Sequence, residues 1–270
     1  MNRSVWTESF RVRTSDADMF GLARLDALFG YFQEAAGHHA QSLGVGRKSL
    51  EAQECFWVLS RCWMQVHCYP VWGQDVVVRT WPCGIQRLFA LRHFRLHDQN
   101  GQEFGAGVSA WLILDLRQHR PLRPGPFLKE IVMPDEPSVA GDVLEKQALV
   151  QGLQELRRIC VPFSDLDVNR HVNNAAYVRW VLDSFDHDQH EQKQIRSIRI
   201  DYLAETLLGE TISIQGQLPF STRHQTVAGL RTPSVQPVFQ AKLAWQHRIC
   251  RNRFPQGTED PHETHSPGFQ

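Results

Sequence analysis

The 270-residue sequence predicts an α+β fold of two tandem units, each a curled antiparallel sheet around a long buried helix. Three observations carry that expectation. The chain repeats itself, with the same order of segments in both halves. Each half offers one helix-like stretch among several strand-like ones. The second of those helices is apolar around most of its circumference, and a sheet curled about it would bury it on nearly all sides.

Three pairs of segments define the repeat. "VRTSDADMFGLARLDALFGYFQEA" from Val12 aligns with "VPFSDLDVNRHVNNAAYVRWVLDS" from Val161, so Ser15, Asp16 and Asp18 lie over Ser164, Asp165 and Asp167, 149 residues on. Both copies run into an apolar stretch ending in an acid, Glu34 or Asp183. "YPVWGQDVVVRTW" from Tyr69 aligns with "ETLLGETISIQGQ" from Glu205 at an offset of 136. "EFGAGVSAW" and "VFQAKLAWQ" correspond at an offset near 135. Order is kept while gap lengths differ, as expected when loops absorb insertions.

In the first unit "WTESFRVR" alternates and reads as a strand. Residues 25–43 read as a helix closed by Gly44. "CFWVLSRCWMQVHCY", "QDVVVRTW" and "RLFALRHFRLHD" read as strands. "QNGQ" at 99–102 reads as a hairpin, because Asn-Gly suits a type I′ turn. "EFGAGVSAWLILD" is the return strand. The second unit repeats the scheme with a strand at 155–163, a helix at 174–186, and strands near 195–204, 210–218, 225–231 and 238–248. In "AAYVRWVLDSF" only Arg179 and Asp183 interrupt the apolar surface. One helix followed by antiparallel strands that curl about it is a hot-dog unit. The expected boundaries are 1–125 and 151–250 for the two units, 126–150 for a Pro- and charge-rich linker, and 251–270 for a disordered tail.

Bulk composition narrows the function. Lys plus Arg equals Asp plus Glu, 29 each, which argues against a nucleic-acid partner. No apolar run approaches the ~18 residues of a membrane span. "MNRSVWTESF" has no apolar h-region, so a cytoplasmic location is expected. The six cysteines (55, 62, 68, 83, 160, 250) form no CxxC pair, so neither metal nor disulfide framework is expected. No cofactor is expected, and no G-x-S-x-G elbow occurs.

The duplication turns function into a comparison of halves. Asn169 lies over Phe20, His171 over Leu22 and Glu205 over Tyr69. A folding requirement common to both units would give similar residues in both. The second unit is therefore predicted to carry chemistry and the first an apolar cavity lined by Phe20, Leu22, Leu28 and Phe32. Asp167 is matched by Asp18 and does not discriminate. Asp167, Asn169 and His171 stand at i, i+2 and i+4, so an extended segment would point them the same way. Asn173 or Asn174 is placed to cap the following helix. The free N–H groups and dipole at that end suit a carbonyl oxygen that becomes an oxyanion. Glu205 brings a second carboxylate from elsewhere in the chain. A carboxylate that activates water, with an amide and an imidazole to orient it, suffices for acyl hydrolysis. Plainer readings stand beside these: Asp165 and Asp167 as turn and capping acids, Asn173 and Asn174 as structural caps, His171 as a hydrogen-bonded histidine without chemistry, Glu205 as a solvated strand-end acid, and His38-His39 as structural or pocket-lining.

"SDLDVNRHVNNAAYVRWVLDS" closely resembles the signature of the acyl-ACP thioesterases of plants and bacteria. It also shares the looser D-x-x-x-x-H-V-N-N-x-x-Y pattern of hot-dog thioesterases in general. The resemblance spans the plan of the chain: a tandem hot-dog, the motif in the second half, and a glutamate 34 residues past the histidine. It implies a fatty acyl-ACP hydrolase of fatty acid biosynthesis, with catalytic roles falling on Asp167, Asn169, His171 and Glu205. Acyl carrier protein is the implied partner, docking on basic clusters such as Arg117, His119, Arg120 and Arg123, or Arg196 and Arg199. Plant members carry a cysteine after that glutamate, where this chain has Thr206; attack by water or by a carboxylate stays open. The rivals are a hot-dog acyl-CoA thioesterase, a non-catalytic acyl-thioester-binding module and, more remotely, a hot-dog dehydratase. A monomer and a homodimer of tandems are both compatible with the sequence.

Overall fold

The computed structural model describes residues 4–139, 145, 147–218 and 223–248. The expectations for Cys250 and for the 251–270 tail fall outside these residues. The first unit runs β1 (Trp6–Arg11), α1 (Leu25–Ser42), α2 (Arg47–Glu51), β2 (Cys55–Val66), β3 (Asp75–Gln86), β4 (Phe89–Asp98), β5 (Glu103–Asp115), β6 (Pro121–Leu122) and α3 (Gly125–Leu128). The second runs β7 (Gln154–Cys160), α4 (Asn174–Leu182), α5 (His187–Gln192), β8 (Lys193–Tyr202), β9 (Thr211–Gly216), β10 (His224–Thr232) and β11 (Gln236–His247).

All strands join one sheet in the order β1-β3-β4-β5-β2-β8-β11-β10-β9-β7, with β6 against β5. Read inward from either edge, that order is the same succession: β1 matches β7, β3 β9, β4 β10, β5 β11 and β2 β8. The units meet where β2 and β8 pair antiparallel, from Arg61 opposite Asp201 to Gln65 opposite Ser197. The strand edge each unit would otherwise leave open is thus closed by the other.

The repeat holds at the level of single hydrogen bonds. Gly73 N–H donates to the Val12 carbonyl (2.9 Å) and Gly209 N–H to the Val161 carbonyl (3.1 Å). Ala23 N–H donates to the Pro70 carbonyl (2.8 Å) and Val172 N–H to the Thr206 carbonyl (2.9 Å). The third segment pair is one residue out. His67 N–H meets the Phe104 carbonyl and Leu203 N–H the Val238 carbonyl, which equates Phe104 with Val238 and not with Phe239.

Three other expectations change. The helix expected over 174–186 ends at Leu182, so the long buried helix describes the 18-residue α1 but not the nine-residue α4. Asp186 caps a new helix instead, its carboxylate accepting the Gln189 N–H at 2.8 Å. The Asn-Gly hairpin is not type I′: of its two residues only Gly101 has a positive φ (82°). Asp98 takes the N–H groups of Asn100 and Gln102 (2.9 Å each), and that side-chain turn holds a three-residue loop with Gly101 in the left-handed position. The stretch expected as a linker packs on the sheet. Leu128 and Val139 are buried, Glu136 pairs with Arg79 (2.8 Å), Gln147 donates to Asp201 (3.1 Å), and Val150 N–H meets Gln240 (2.9 Å).

The two faces of the sheet have different jobs. Ala106, Val108 and Ala110 of β5 pack with Trp81 and Val139 on one face. The alternate residues face α1. There Gly107 is needed for close approach: a Cβ would lie 2.3 Å from the Phe32 ring and 2.9 Å from the Trp63 carbonyl. Phe32 is held in that position by stacking on Phe94, with centroids 4.1 Å apart. Gly107→Ala is expected to cost about 1–3 kcal/mol through overpacking, measured as a lower denaturant midpoint. An unchanged midpoint would show that α1 is free to lift.

Candidate active site

The polar motif occupies a loop whose shape the first unit repeats without the chemistry. A short 3₁₀ turn, Thr14–Asp16 or Phe163–Asp165, leads into a small bridge, Ala17 to Ala23 or Leu166 to Val172. Between the bridge residues the chain turns tightly. In the second loop Asp167 N–H donates to the His171 carbonyl (2.8 Å) and Arg170 N–H to the Asp167 carbonyl (3.0 Å). In the first, Asp18 N–H donates to the Leu22 carbonyl (2.7 Å) and Gly21 N–H to the Asp18 carbonyl (3.0 Å). Arg170 sits at φ 65° where the first loop uses Gly21 at φ 75°. A non-glycine residue held there costs roughly 1–2 kcal/mol.

This geometry replaces the extended segment expected from the i, i+2, i+4 spacing. Asp167 and Asn169 are gathered by a turn. One Asp167 oxygen accepts the Asn169 N–H at 2.7 Å and the other the Asn169 side-chain amide at 3.3 Å. Asp18 likewise accepts the N–H groups of Phe20 and Leu22 at 2.9 Å each. The Asp98 hairpin is a third instance. An aspartate at the head of this loop is therefore a loop-shaping group before it is anything else.

Glu205 is different. It follows β8 in a segment anchored by two backbone contacts: Val172 N–H to the Thr206 carbonyl, and the Arg231 guanidinium to the Glu205 carbonyl. Arg231 is itself paired with Glu210 at 3.1 Å. The Glu205 carboxylate lies 3.4 Å from His171 Nε2, with 48% of the one side chain and 33% of the other exposed. At the equivalent place the first unit has Tyr69, buried, whose phenol donates to the Ile195 carbonyl at 2.8 Å and so fastens the first unit to β8. Thr206 is fully buried beside the Tyr177 phenol, whose pKa burial pushes up to about 12. Its hydroxyl faces the core.

Asn173 caps α4, its side-chain oxygen accepting the Ala175 N–H at 2.8 Å. Gln33 of α1, a residue the sequence did not single out, holds this helix end from the other unit. It donates to Asn173 Oδ1 (3.1 Å) and accepts from Asn174 Nδ2 (3.0 Å). Its only sequence signal is an isolated amide in "LFGYFQEAA", and its partners lie about 140 residues away. Beneath the loop, Asp165 is buried and accepts the Trp180 indole N–H at 2.7 Å and the Arg179 guanidinium. The first-unit counterpart Asp16 accepts the Tyr31 hydroxyl at 2.9 Å.

Asp167, Asn169, His171, Asn173, Asn174 and Glu205 all line one open cleft of about 2140 Å³. That exceeds the roughly 300–1,000 Å³ of ordinary ligand pockets, so only part of it holds any one ligand. From the motif loop the cleft runs along α1 to Ala36 and Ala40, and over β2, β4 and β5 at Leu59, Ala90 and Trp111. Phe20, Leu22 and Leu28 do not line it. Phe20 lies under the Arg248 guanidinium (4.0 Å), Leu22 bridges to Val71, and Leu28 is fully buried in the core. Phe32 borders a small gap adjoining the cleft, together with Gln33, Leu59 and Trp111. α1 buries one face into the core and gives the cleft another; the apolar pattern marks the first of these. His38 is tied to Glu8 (3.0 Å), and His39 is fully buried.

Of the basic clusters, Arg117 is paired with Glu54 and Arg199 with Asp201 (3.1 Å), while His119 borders the cleft. Among the described residues no group of three or more His, Cys, Asp and Glu is arranged to hold a metal, and no helix is long and apolar enough to cross a membrane.

Two family models match the chain in tandem: the acyl-ACP thioesterase N-terminal domain over residues 3–132 and the C-terminal domain over 151–257. The chain is 25% identical over 223 residues to an oleoyl-acyl carrier protein thioesterase of Arabidopsis thaliana, covering 74% of this chain and 60% of that protein. It is 24% identical over 214 residues to a palmitoyl-acyl carrier protein thioesterase of Cuphea hookeriana, covering 74% and 52%. The chain thus spans between about half and 60% of the length of these curated relatives. Among solved structures, an acyl-ACP thioesterase from Bacteroides thetaiotaomicron superposes with TM-score 0.80 at 27% identity, over 91% of this chain and all of that one. A 12:0-ACP thioesterase from Umbellularia californica superposes with TM-score 0.78 at 23% identity, over 90% and 98%, and shares the fold.

Proposed function

The chain belongs to the acyl-ACP thioesterase family, and from that premise we propose that it hydrolyses a fatty acyl thioester of acyl carrier protein to the free acid and the carrier thiol. The observation that carries this reading is the Glu205–His171 pair, set at a cleft beside the start of α4, where the first unit has a buried tyrosine.

The thioester carbonyl sits at the N-terminus of α4. The Asn173 side chain satisfies one N–H of the first turn, and the Asn174 N–H and the helix dipole face the developing oxyanion. His171 orients the Glu205 carboxylate, which takes a proton from water as the water oxygen attacks the carbonyl carbon. When the tetrahedral intermediate collapses, the C–S bond breaks and that proton returns to the leaving sulfur. Asp167 and Asn169 hold the loop that presents His171. The acyl chain runs along α1 over Leu59 and Trp111, not past Phe20, Leu22 and Leu28.

The deciding experiment is hydrolysis of matched acyl-ACP and acyl-CoA panels. Turnover selective for the carrier protein, with a KM that rises with added salt, is expected if charge guides docking. Equal kcat/KM for both carriers would transfer the reading to a general acyl thioesterase. Absence of turnover with both would leave a binding module.

Two further outcomes follow from the geometry. Gln33→Leu removes two hydrogen bonds that hold the α4 end, and at about 1 kcal/mol each is expected to lower kcat roughly tenfold or more. KM should change little, and an unchanged kcat would remove Gln33 from the positioning of the site. Ala40→Phe partly fills the cleft and is expected to shift preference toward shorter acyl chains; an unchanged profile would place the chain elsewhere.

A further inference from the structure

The first-unit wall of the cleft carries a charge that the proposed reaction does not use. Arg92 of β4 is only 9% exposed and lines the cleft with Ala90, Pro82 and Gly84. It points toward α1, on the same face of β4 as Phe94 and Leu96. Its Nη1 donates to His39 Nδ1 at 3.0 Å and to the Thr80 hydroxyl at 3.2 Å. A guanidinium has no acceptor, so the His39 nitrogen must accept and that imidazole is neutral. The Thr80 hydroxyl in turn donates to the His93 carbonyl at 2.8 Å. The nearby thiol of Cys83 is neutral too, since burial pushes its pKa up to about 12. Among the described residues no carboxylate lies within ion-pair distance of Arg92, although every other strongly buried arginine contact in this fold has one. Arg61, for example, lies 3.9 Å from Asp201.

A buried guanidinium without a countercharge costs stability unless something anionic completes it. Packing alone would be served better by an apolar side chain of the same length. The cation is instead held in place by two neutral acceptors on Nη1, and among the described residues Nε and Nη2 have no hydrogen-bond partner, in a residue that lines the cleft. That is the arrangement of a planar fork awaiting a carboxylate. His39 lies six residues along α1 from Gln33, roughly 9 Å at ~1.5 Å per residue. An extended chain of about seven carbons, with C–C bonds near 1.5 Å running in a zigzag, covers that span.

We propose that Arg92 forms a carboxylate-accepting site on the first-unit wall of the acyl channel, about seven carbons from the α4 end, so that the preferred acyl thioesters are medium-length chains bearing a distal carboxylate. This rests on the thioesterase reading for its substrate, though not for the site itself.

The test compares octanoyl-ACP with the ACP half-thioester of octanedioic acid, for wild type and Arg92→Met. Charged hydrogen bonds of ordinary strength predict a kcat/KM ten- to a hundredfold higher for the half-thioester in wild type. Arg92→Met should reverse that order and leave octanoyl-ACP turnover within a few-fold. A wild-type preference for octanoyl-ACP, or a preference unchanged by Arg92→Met, would overturn the proposal. A second measurement does not depend on catalysis or on the variant folding: calorimetric binding of octyl-pantetheine thioether with and without a terminal carboxylate. Tighter binding of the carboxylate form supports the site even if no thioester is hydrolysed, in which case the thioesterase reading alone falls. Equal or weaker binding removes the site even if hydrolysis is confirmed.

Discussion

Glu205→Gln is expected to lower kcat by about 10²–10⁴-fold on acyl-ACP, the usual contribution of a positioned general base, while leaving thermal stability almost unchanged. The two halves of the statement have separate physical grounds. The Glu205 side chain is 48% exposed and among the described residues makes one polar contact, to His171 at 3.4 Å, so replacing its carboxylate by an amide disturbs little packing. Its backbone is fixed by Arg231 and, through Thr206, by Val172, so the amide would stand where the carboxylate stood. An amide cannot take a proton from water. His171→Asn should reproduce part of the loss by freeing the carboxylate to wander. Asp167→Asn is the informative comparison. Both Asp167 oxygens are engaged within the loop, and one oxygen each of Asp18 and Asp98 shapes a loop with no chemistry. Its substitution is expected to weaken the loop along with the rate, and the Tm will show this. If Glu205→Gln lost less than tenfold in kcat while Asp167→Asn lost a thousandfold at unchanged Tm, the two roles would have to be exchanged.

How much of this was legible in the sequence depended on the kind of interaction. Duplication was visible because backbone geometry constrains residue type: Gly73 and Gly209 both need positive φ, and Asp16, Asp18 and their second-unit counterparts both build the same turn. The contrast of Glu205 with Tyr69 followed from that register. Helix length was not visible. Apolar pattern continues through Phe185, which is buried against Trp245 with ring centroids 4.9 Å apart, but it is buried from a turn and not from a helix. Pattern reports burial, and burial alone does not set φ and ψ. The cleft lining is hidden from the sequence for a related reason, because the most apolar residues of α1 are those the core claims, leaving smaller and polar ones such as Ala36, Ala40 and Gln33 to face the cleft. Gln33 itself has no local signature, since both its partners come from the other unit. Arg92 hides within an alternating strand, where a charge on the inward face looks like a charge on the outward one until the register is known.

Asp165→Ala is expected to do the opposite of Glu205→Gln: unfold the protein more readily while the surviving folded fraction keeps its kcat within a few-fold. Asp165 is 5% exposed and takes both the Trp180 indole N–H and the Arg179 guanidinium. Its backbone carbonyl also accepts the Asn173 N–H at 2.8 Å, so it stands under the cap of α4. Removing the carboxylate strands a buried indole donor and leaves Arg179 with Asp26, at 3.8 Å, as its ion-pair partner among the described residues. Breaking a fully buried charged pair costs about 3–5 kcal/mol. Arg179 keeps 37% of its side-chain exposure and can recover some hydration, which brings the expectation to about 3 kcal/mol. At roughly 2–4 °C per kcal/mol for a domain of this class, Tm should fall by about 6–12 °C. The parallel change in the first unit, Asp16→Ala, removes the acceptor of the Tyr31 hydroxyl and of two exposed donors, the Arg13 N–H and the Ser15 hydroxyl, which water can satisfy, and should cost about 1 kcal/mol. The ratio between the two tests the structural reading without reference to catalysis. Equal shifts would mean that the loop turn, common to both, dominates and that the Arg179–Trp180 network adds nothing. A large loss of kcat in Asp165→Ala, at a temperature where it is fully folded, would move Asp165 from the scaffold into the chemistry.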